Sequence, residues 1–363
     1  MRILYGVQGT GNGHVSRARV MAKAFIEKGI KVDYLFSGRG DIPFFEMALF
    51  GDYQTQKGLT FTTQNGRVNL SKTFKNNSLL SINREISHLD LTPYDLVISD
   101  FEPITAWAAR KQGVASIGIN HQLALRYPVP KLGDSWLGQC FLNNFAPVDI
   151  PLACHWHHFG FPILPPIVDV IPSAMELSQQ VVVYLPFEHP QSIIELIAPF
   201  EEYQFIVYHP ISMTKVLPDH VKWQSLNGDL FKRDVACCAG VISNAGFELP
   251  SEALMLGKKL LVKPLHGQFE QLSNMAALAL LGAADCMMKL DKDVVRRWLK
   301  SASREAINYP PLGECLVDWI ISGNWNEIAS LCQSVWQEVR LPETWQKKSV
   351  STNVIGDISL PYR

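Results

Sequence analysis

The stretch Val241-Ile242-Ser243-Asn244-Ala245-Gly246-Phe247-Glu248-Leu249-Pro250-Ser251-Glu252-Ala253-Leu254-Met255-Leu256-Gly257 decides how this chain is read. A short apolar run stops at small residues, and a helical pattern follows from Glu248 to Leu256, closing on Gly257. Another apolar run, Leu260 to Val262, comes next, and Gln268 to Leu281 reads as a long helix. Strand, turn, helix, strand is the rhythm of a parallel sheet covered by helices. Such a turn points unpaired N–H groups and the positive end of a helix at an anion.

The same rhythm recurs on both sides of that stretch. Val181 to Leu185, Gln191 to Phe200 and Gln204 to Tyr208 read as strand, helix and strand. In the first half, Ile3 to Val7 is a strand, Ser16 to Lys28 a helix and Lys31 to Phe36 a strand. Tyr94 to Ser99, Ile104 to Gln112 and Ala115 to Ile119 repeat the alternation. Pro162, Pro165, Pro166 and Pro172 mark a semi-rigid connector between the two series. The pattern predicts an α/β fold. A Rossmann-like domain over residues 1–160 and a connector over 161–173 precede a second such domain over 174–340, with an irregular tail over 341–363. The two domains are expected to face each other across a cleft, with C-terminal helices packing back on the first. The tail from Asp318 to Val339, with Trp319, Trp325 and Trp336, is expected to be helical.

Composition narrows the function classes. The 363 residues fit about two domains, and 47% hydrophobic with 18% charged residues is ample for two cores. Lys and Arg number 33 against 34 Asp and Glu, so no global field draws nucleic acid or an anionic membrane. Seven irregularly spaced cysteines do not form a secreted disulfide framework. The opening MRILYGVQGTG lacks the apolar core of a signal peptide, and no apolar stretch reaches the ~20 residues of a membrane span. A cytoplasmic protein is expected, with peripheral membrane contact through Pro43-Phe44-Phe45 as one possibility to test.

Two further motifs carry chemistry. Gly9-Thr10-Gly11-Asn12-Gly13-His14 lies between the first strand and the first helix, where glycines permit close backbone approach to a ligand. Its spacing is not that of the dinucleotide fingerprint, and a tight turn is its plain alternative. His14 at a sheet edge can accept a proton from a hydroxyl near neutral pH. In Ser99-Asp100-Phe101-Glu102-Pro103, Asp100 at a strand end could orient an imidazole, or Asp100 or Glu102 could cap the following helix. Glu252 could accept from a ribose diol, and Glu270-Gln271 open the next helix, placed for sugar hydroxyls.

The run from Ser243 to Asn274 resembles the donor-binding signature of GT-B glycosyltransferases, the superfamily of UDP-sugar transferases and the lipid II N-acetylglucosaminyl transferase. Glu252 and Gly257 reproduce its glutamate-to-glycine interval, and Pro264 and Glu270-Gln271 follow in its order. The loop ending in His14 is similar to the acceptor-activating loop of those enzymes, and Tyr94 to Gln122 to the strand bearing the histidine's partner. As a whole the chain is most similar to an uncharacterised bacterial and archaeal branch of predicted glycosyltransferases. The resemblance implies an inverting transfer of a hexose-type sugar from a nucleotide diphosphate, UDP-sugar above all, to an acceptor hydroxyl of unidentified class. It implies no metal and no other cofactor. By the same carry-over His14 is the base and Asp100 its partner. Gly11, Asn12 and Gly13 form the acceptor and diphosphate loop; Asn244, Ala245 and Gly246 border the diphosphate. Glu252 holds the ribose, and Glu270 and Gln271 the sugar.

The chain also departs from the pattern. Asn244 stands where histidine is usual, and Glu248-Leu249 where asparagine and serine are usual. A carboxylate at 248 repels a diphosphate unless it turns away, so Lys263, Arg17 or Arg19 is expected to help. Cys154-His155-Trp156-His157-His158 is too tightly spaced for one metal ion and reads as an aromatic interface. Asp291-Lys292-Asp293 reads as a helix cap rather than a Mn²⁺ motif, and Gly66 to Lys75 as an acceptor loop or a solvated face. The rival readings are a nucleotide-sugar epimerase on the same fold and a non-catalytic nucleotide-binding regulator. A dehydrogenase is disfavoured because Phe36-Ser37-Gly38 offers no acid for a ribose.

Overall fold

A computed structural model describes residues 1–39, 44, 46–59, 63–64, 67–68, 79–133, 136–168, 170, 177–213 and 216–346. The first half contains β1 (Ile3–Gln8), β2 (Val32–Ser37), β3 (Gln54–Gln56), a small antiparallel pair β4 (Thr63–Gln64) and β5 (Arg67–Val68), β6 (Leu96–Asp100), β7 (Ser116–Asn120), β8 (Ile150–Cys154) and β9 (Ile163–Leu164). The second contains β10 (Leu177–Tyr184), β11 (Gln204–Tyr208), β12 (Val221–Gln224), β13 (Cys238–Asn244), β14 (Lys259–Lys263) and β15 (Asp285–Cys286). The two large sheets run in the orders β3-β2-β1-β6-β7-β8-β9 and β12-β11-β10-β13-β14-β15. Neighbours are parallel throughout both. The α/β fold with two Rossmann-like sheets is therefore as expected. In such sheets ligands bind beyond the strand ends where the winding direction reverses. Those points lie between β1 and β6, and between β10 and β13.

Local chemistry explains the elements that matter for the cleft. Strands β1, β6 and β14 are buried along their whole length, which suits a sheet covered on both faces. Helix Gly13–Glu27 starts earlier than the apolar period suggests, because its first turn carries Gly13 and His14 rather than core residues. Gly11 has a φ of 85°, a conformation that disfavours a side chain. Helix Pro103–Gln112 is capped by Glu102, which accepts from Ile104 N at 2.8 Å and Thr105 N at 2.7 Å. Proline at the first helical position completes the cap, a device worth about 0.5–2 kcal/mol. This resolves the alternative left by the sequence: Glu102 is the cap, and Asp100 is not. Asp291 likewise caps helix Lys292–Leu299.

The C-terminal helices pack back on the first half. Helix Leu312–Ser322 lies on helix Gly13–Glu27 so closely that a Cβ on Gly313 would sit 3.2 Å from that of Ala24. Lys28 and Asp318 pair at 2.8 Å, and Trp336 Nε1 donates to Ile163 O at 2.5 Å. The stretch from Asp318 to Val339, expected to be helical, is so except at its break. It forms two helices, Leu312–Ser322 and Ile328–Gln337, broken at Gly323 with φ 74°. A short helix, Glu343–Gln346, follows in what the sequence marks as an irregular tail, and residues 347–363 lie outside the described residues. Strand β9 falls within the expected connector, of which residues 169 and 171–173 also lie outside them.

Candidate functional site

The site is built where the reversal points of the two sheets meet. His14 lies in the first turn of helix Gly13–Glu27, and Asp100 ends β6 beside the end of β1. His14 Nδ1 lies 2.7 Å from Asp100 Oδ1. A carboxylate can only accept there, so Nδ1 carries the hydrogen and the lone pair of Nε2 is left outward. Nε2 has no hydrogen-bond partner among the described residues. Phe101, held at φ 52°, stacks parallel to the imidazole at 6.4 Å. A non-glycine residue in that conformation is costly and is retained where surroundings enforce it.

Arg17 is the residue the sequence reading misplaced. It was expected to help with a diphosphate. Instead it is buried at 2% exposure and forks onto Asp100, with Nε at 2.8 Å from Oδ2 and Nη2 at 3.0 Å from Oδ1. Its Nη1 donates to Glu248 Oε1 in the other half. The signal was available: positions 14 and 17 are one helical turn apart, hence on one face. Burial alone would lift the Asp100 carboxyl, but Arg17 and His14 together hold it below its ordinary value. Glu248 differs. Burial, with Asp100, Glu252 and Glu270 nearby, pushes it up to about 8 against the pull of Arg17. Arg17 cannot restore its ionisation fully, because Asp100 already takes two of its N–H groups.

The second wall follows the ends of β13 and β14. Ala245 N donates to Lys263 O at 3.2 Å, and Asn244 Nδ2 donates to the same carbonyl at 3.0 Å. Among the described residues Gly246 N–H and Phe247 N–H have no partner, and nothing lies within 4 Å of where a Cβ on Gly246 would sit. Helix Glu248–Met255 starts immediately beyond, with Pro250 tolerated in its first turn. Gln271 Oε1 accepts from Leu265 N at 2.9 Å and so shapes the loop before Glu270. Glu252 and Glu248 line a cavity of about 360 Å³ with Ser16, Arg19, Glu46 and Lys232, whereas His14, Gly246, Phe247 and Glu270 are not among its lining residues. Of the three cations expected to assist a diphosphate, Arg19 lines this cavity, paired there with Glu46 at 3.4 Å. Lys263 is bound to Glu188 at 2.6 Å and, like Arg17, is already engaged.

The two walls touch. A Cβ on Gly13 would come within 2.7 Å of Glu248 Cγ, so only glycine lets the His14 turn approach the second wall. Asn12 Oδ1 accepts from Arg39 at 3.0 Å, and the Asn12 side chain also hydrogen-bonds Tyr184 at the end of β10. His121 stacks on Phe247 at 4.0 Å and 8°, with Nε2 at 2.5 Å from Asn274 Oδ1. Trp156 Nε1 donates to Ser251 Oγ at 2.8 Å. His155 is buried against His121, Trp156 and Phe159, and burial holds its pKa well down. His157 and His158 stack on each other beside Trp336, and burial brings His157 down to about 4. Among the described residues no His, Cys, Asp or Glu cluster of metal-binding form occurs. Phe44 packs on Phe36 and under Arg39, while Pro43 and Phe45 lie outside the described residues, as do Gly66 and residues 69–75. Among the described residues no helix is long and apolar enough to cross a membrane.

A family model described as glycosyl transferase family 1 matches residues 1–135 and 157–302. Solved structures with the same fold include spinosyn rhamnosyltransferase SpnG, at 13% identity and TM-score 0.57, covering 93% of this chain and 100% of that one. The glycosyltransferase SnogD from Streptomyces nogalater aligns at 13% identity and TM-score 0.55, covering 93% and 99%. Glycosyltransferase VinC, solved in complex with DTDP, aligns at 14% identity and TM-score 0.53, covering 96% and 99%. No curated protein matches the sequence significantly.

Proposed function

This chain belongs to glycosyl transferase family 1 and is a GT-B glycosyltransferase, and from that premise we propose that it moves a hexose-type sugar from a nucleotide diphosphate, UDP-sugar first, to an acceptor hydroxyl with inversion. The observation that carries the reading is the His14–Asp100 contact at 2.7 Å, made beside the start of helix Glu248–Met255. In this reading His14 Nε2 takes the acceptor proton as the hydroxyl oxygen attacks the anomeric carbon. Asp100 keeps the imidazole in the right tautomer and stabilises the imidazolium. Gly11, Asn12 and Gly13 carry His14 against the reacting sugar.

The donor would lie along the second wall. The N–H groups of Gly246 and Phe247 and the positive helix end receive the diphosphate, bordered by Asn244 and Ala245. Glu252 holds the ribose diol, and Glu270 with the remaining amide of Gln271 holds the sugar. The helix end supplies positive potential, with Arg19 nearby in its pair with Glu46, and the reading takes no metal. Known DTDP binding by VinC and an aglycone-bound SpnG support a donor and an acceptor for this site by analogy of fold.

The test combines a thermal-shift screen of UDP, dTDP and their sugars with product analysis by NMR. A nucleotide at a hundredfold its Kd should stabilise by about 2.7 kcal/mol. The product should carry the anomeric configuration opposite to the donor's. Retained configuration, or epimerised sugar formed from donor alone, would displace the reading.

A further inference from the structure

Glu248 opens the helix assigned to the diphosphate, and its two oxygens have different surroundings. Oε1 accepts from Arg17, whereas Oε2 is buried without a partner among the described residues. The residue is 8% exposed, borders a cavity with Glu252, and stands at the helix start directly after Gly246 and Phe247. A buried carboxylate oxygen without a donor is costly, and a proton on it turns the same atom into a donor. A diphosphate brings only acceptors. An ionised Glu248 therefore repels it, and a protonated one can bind it.

The charges around Glu248 favour the protonated form once an anion arrives. Helix Gly13–Glu27 contributes Arg17 and, behind it, His14; the end of β6 contributes Asp100; β8 contributes the Cys154 thiol. Its own helix adds Glu252, and helix Phe269–Leu281 adds Glu270. Across the cleft stand Arg19, Lys23 and Glu46 from the first half, with Asp229 and Lys232 from the second. The cation in contact, Arg17, is shared with Asp100, so a bound diphosphate adds negative charge that Arg17 cannot offset.

We propose that a nucleotide diphosphate binds this site with Glu248 protonated on Oε2, which donates to a phosphate oxygen, the proton being taken from solvent on binding wherever the carboxyl is ionised beforehand. The inference rests on the donor reading of the cleft. The balance is simple: carboxylate and proton give the acid, Oε1 keeps its bond from Arg17, and no bond to phosphorus forms or breaks. The carboxyl, pushed up to about 8 in the unliganded protein, sets the range in which uptake is seen.

The test is calorimetric titration of the full chain with UDP, and separately with dTDP, in buffers of differing ionisation enthalpy. At about pH 9, binding should take up close to one proton, and above about pH 8 affinity should fall by up to tenfold per pH unit. Glu248→Gln keeps an acceptor for Arg17 and gains a permanent donor. It should bind with little pH dependence and without the uptake, and the ligand's own ionisation cancels in the comparison. Wild-type binding without uptake overturns the inference alone and leaves the donor cleft standing. Uptake that persists in a folded Glu248→Gln, checked by melting, places the proton elsewhere and also overturns it. Absence of any nucleotide binding removes the donor reading and the inference with it.

Discussion

The two walls of the cleft handle their polar groups in opposite ways. On the first, the acids are saturated: Asp100 accepts from His14 and twice from Arg17, and Glu102 accepts from Ile104, Thr105 and Ser37. On the second, side chains such as Asn244, Lys263 and Gln271 are tied to nearby backbone or to Glu188. Its helix start at Gly246 and Phe247 is left open. The first wall resembles a preset instrument and the second a receptor. The difference teaches where substitutions should change chemistry and where they should change binding.

The largest expected effect falls on the first wall. His14→Ala should lower kcat by about 10²–10⁴-fold, the range for a lost general base, while nucleotide affinity by calorimetry changes little. An equal loss of both would erase the division of labour between the walls. Arg17→Met should destabilise by about 3–5 kcal/mol in urea unfolding, because it strands two buried carboxyls. A change under about 1 kcal/mol would mean that Asp100 and Glu248 do not depend on it.

Smaller effects test the junction. Glu248 has a raised folded-state pKa, so the native state binds more protons than the unfolded chain. Wild type should therefore lose stability relative to Glu248→Gln as pH rises from the ordinary carboxyl value, about 4.5, to about 8, and level off beyond. Melts at constant ionic strength read this directly; parallel curves would sink it. The least change in stability is expected of Gly246→Ala, within about 0.5 kcal/mol, since its Cβ meets open space. That substitution should still weaken nucleotide binding, whereas Gly13→Ala should force Glu248 away and cost stability as well. Reversal of that pair would contradict the assignment of an open wall and a closed one.

Much of this arrangement was legible in the sequence for physical reasons. The alternation of buried strands and helices, and the glycines before His14, are local signals that short segments carry by themselves. The choice between Asp100 and Glu102 as the cap was left open by the sequence and settled by the structure, although a residue followed by proline at a helix start is a natural cap. The Arg17–Glu248 pair was not legible. Its partners are 231 positions apart, and nothing in either segment states that the sheets bring them together. The division of the C-terminal helical stretch at Gly323 has a local signal, since glycine readily takes the positive φ that ends the first helix.

The return of the C-terminal helices has a mechanical consequence. The chain passes from the first sheet to the second between β9 and β10. It passes back just after Ile307, whose N–H is bonded to Leu254 O, and before Tyr309, whose hydroxyl is bonded to Trp156 O. Two covalent crossings define a line, as two pins do on a door. Any opening of the cleft is thereby reduced to a swing about that line, and sliding or twisting of one half against the other is resisted by chain connectivity itself. The Gly13 turn and the start of helix Glu248–Met255 then return to the same register each time the door shuts.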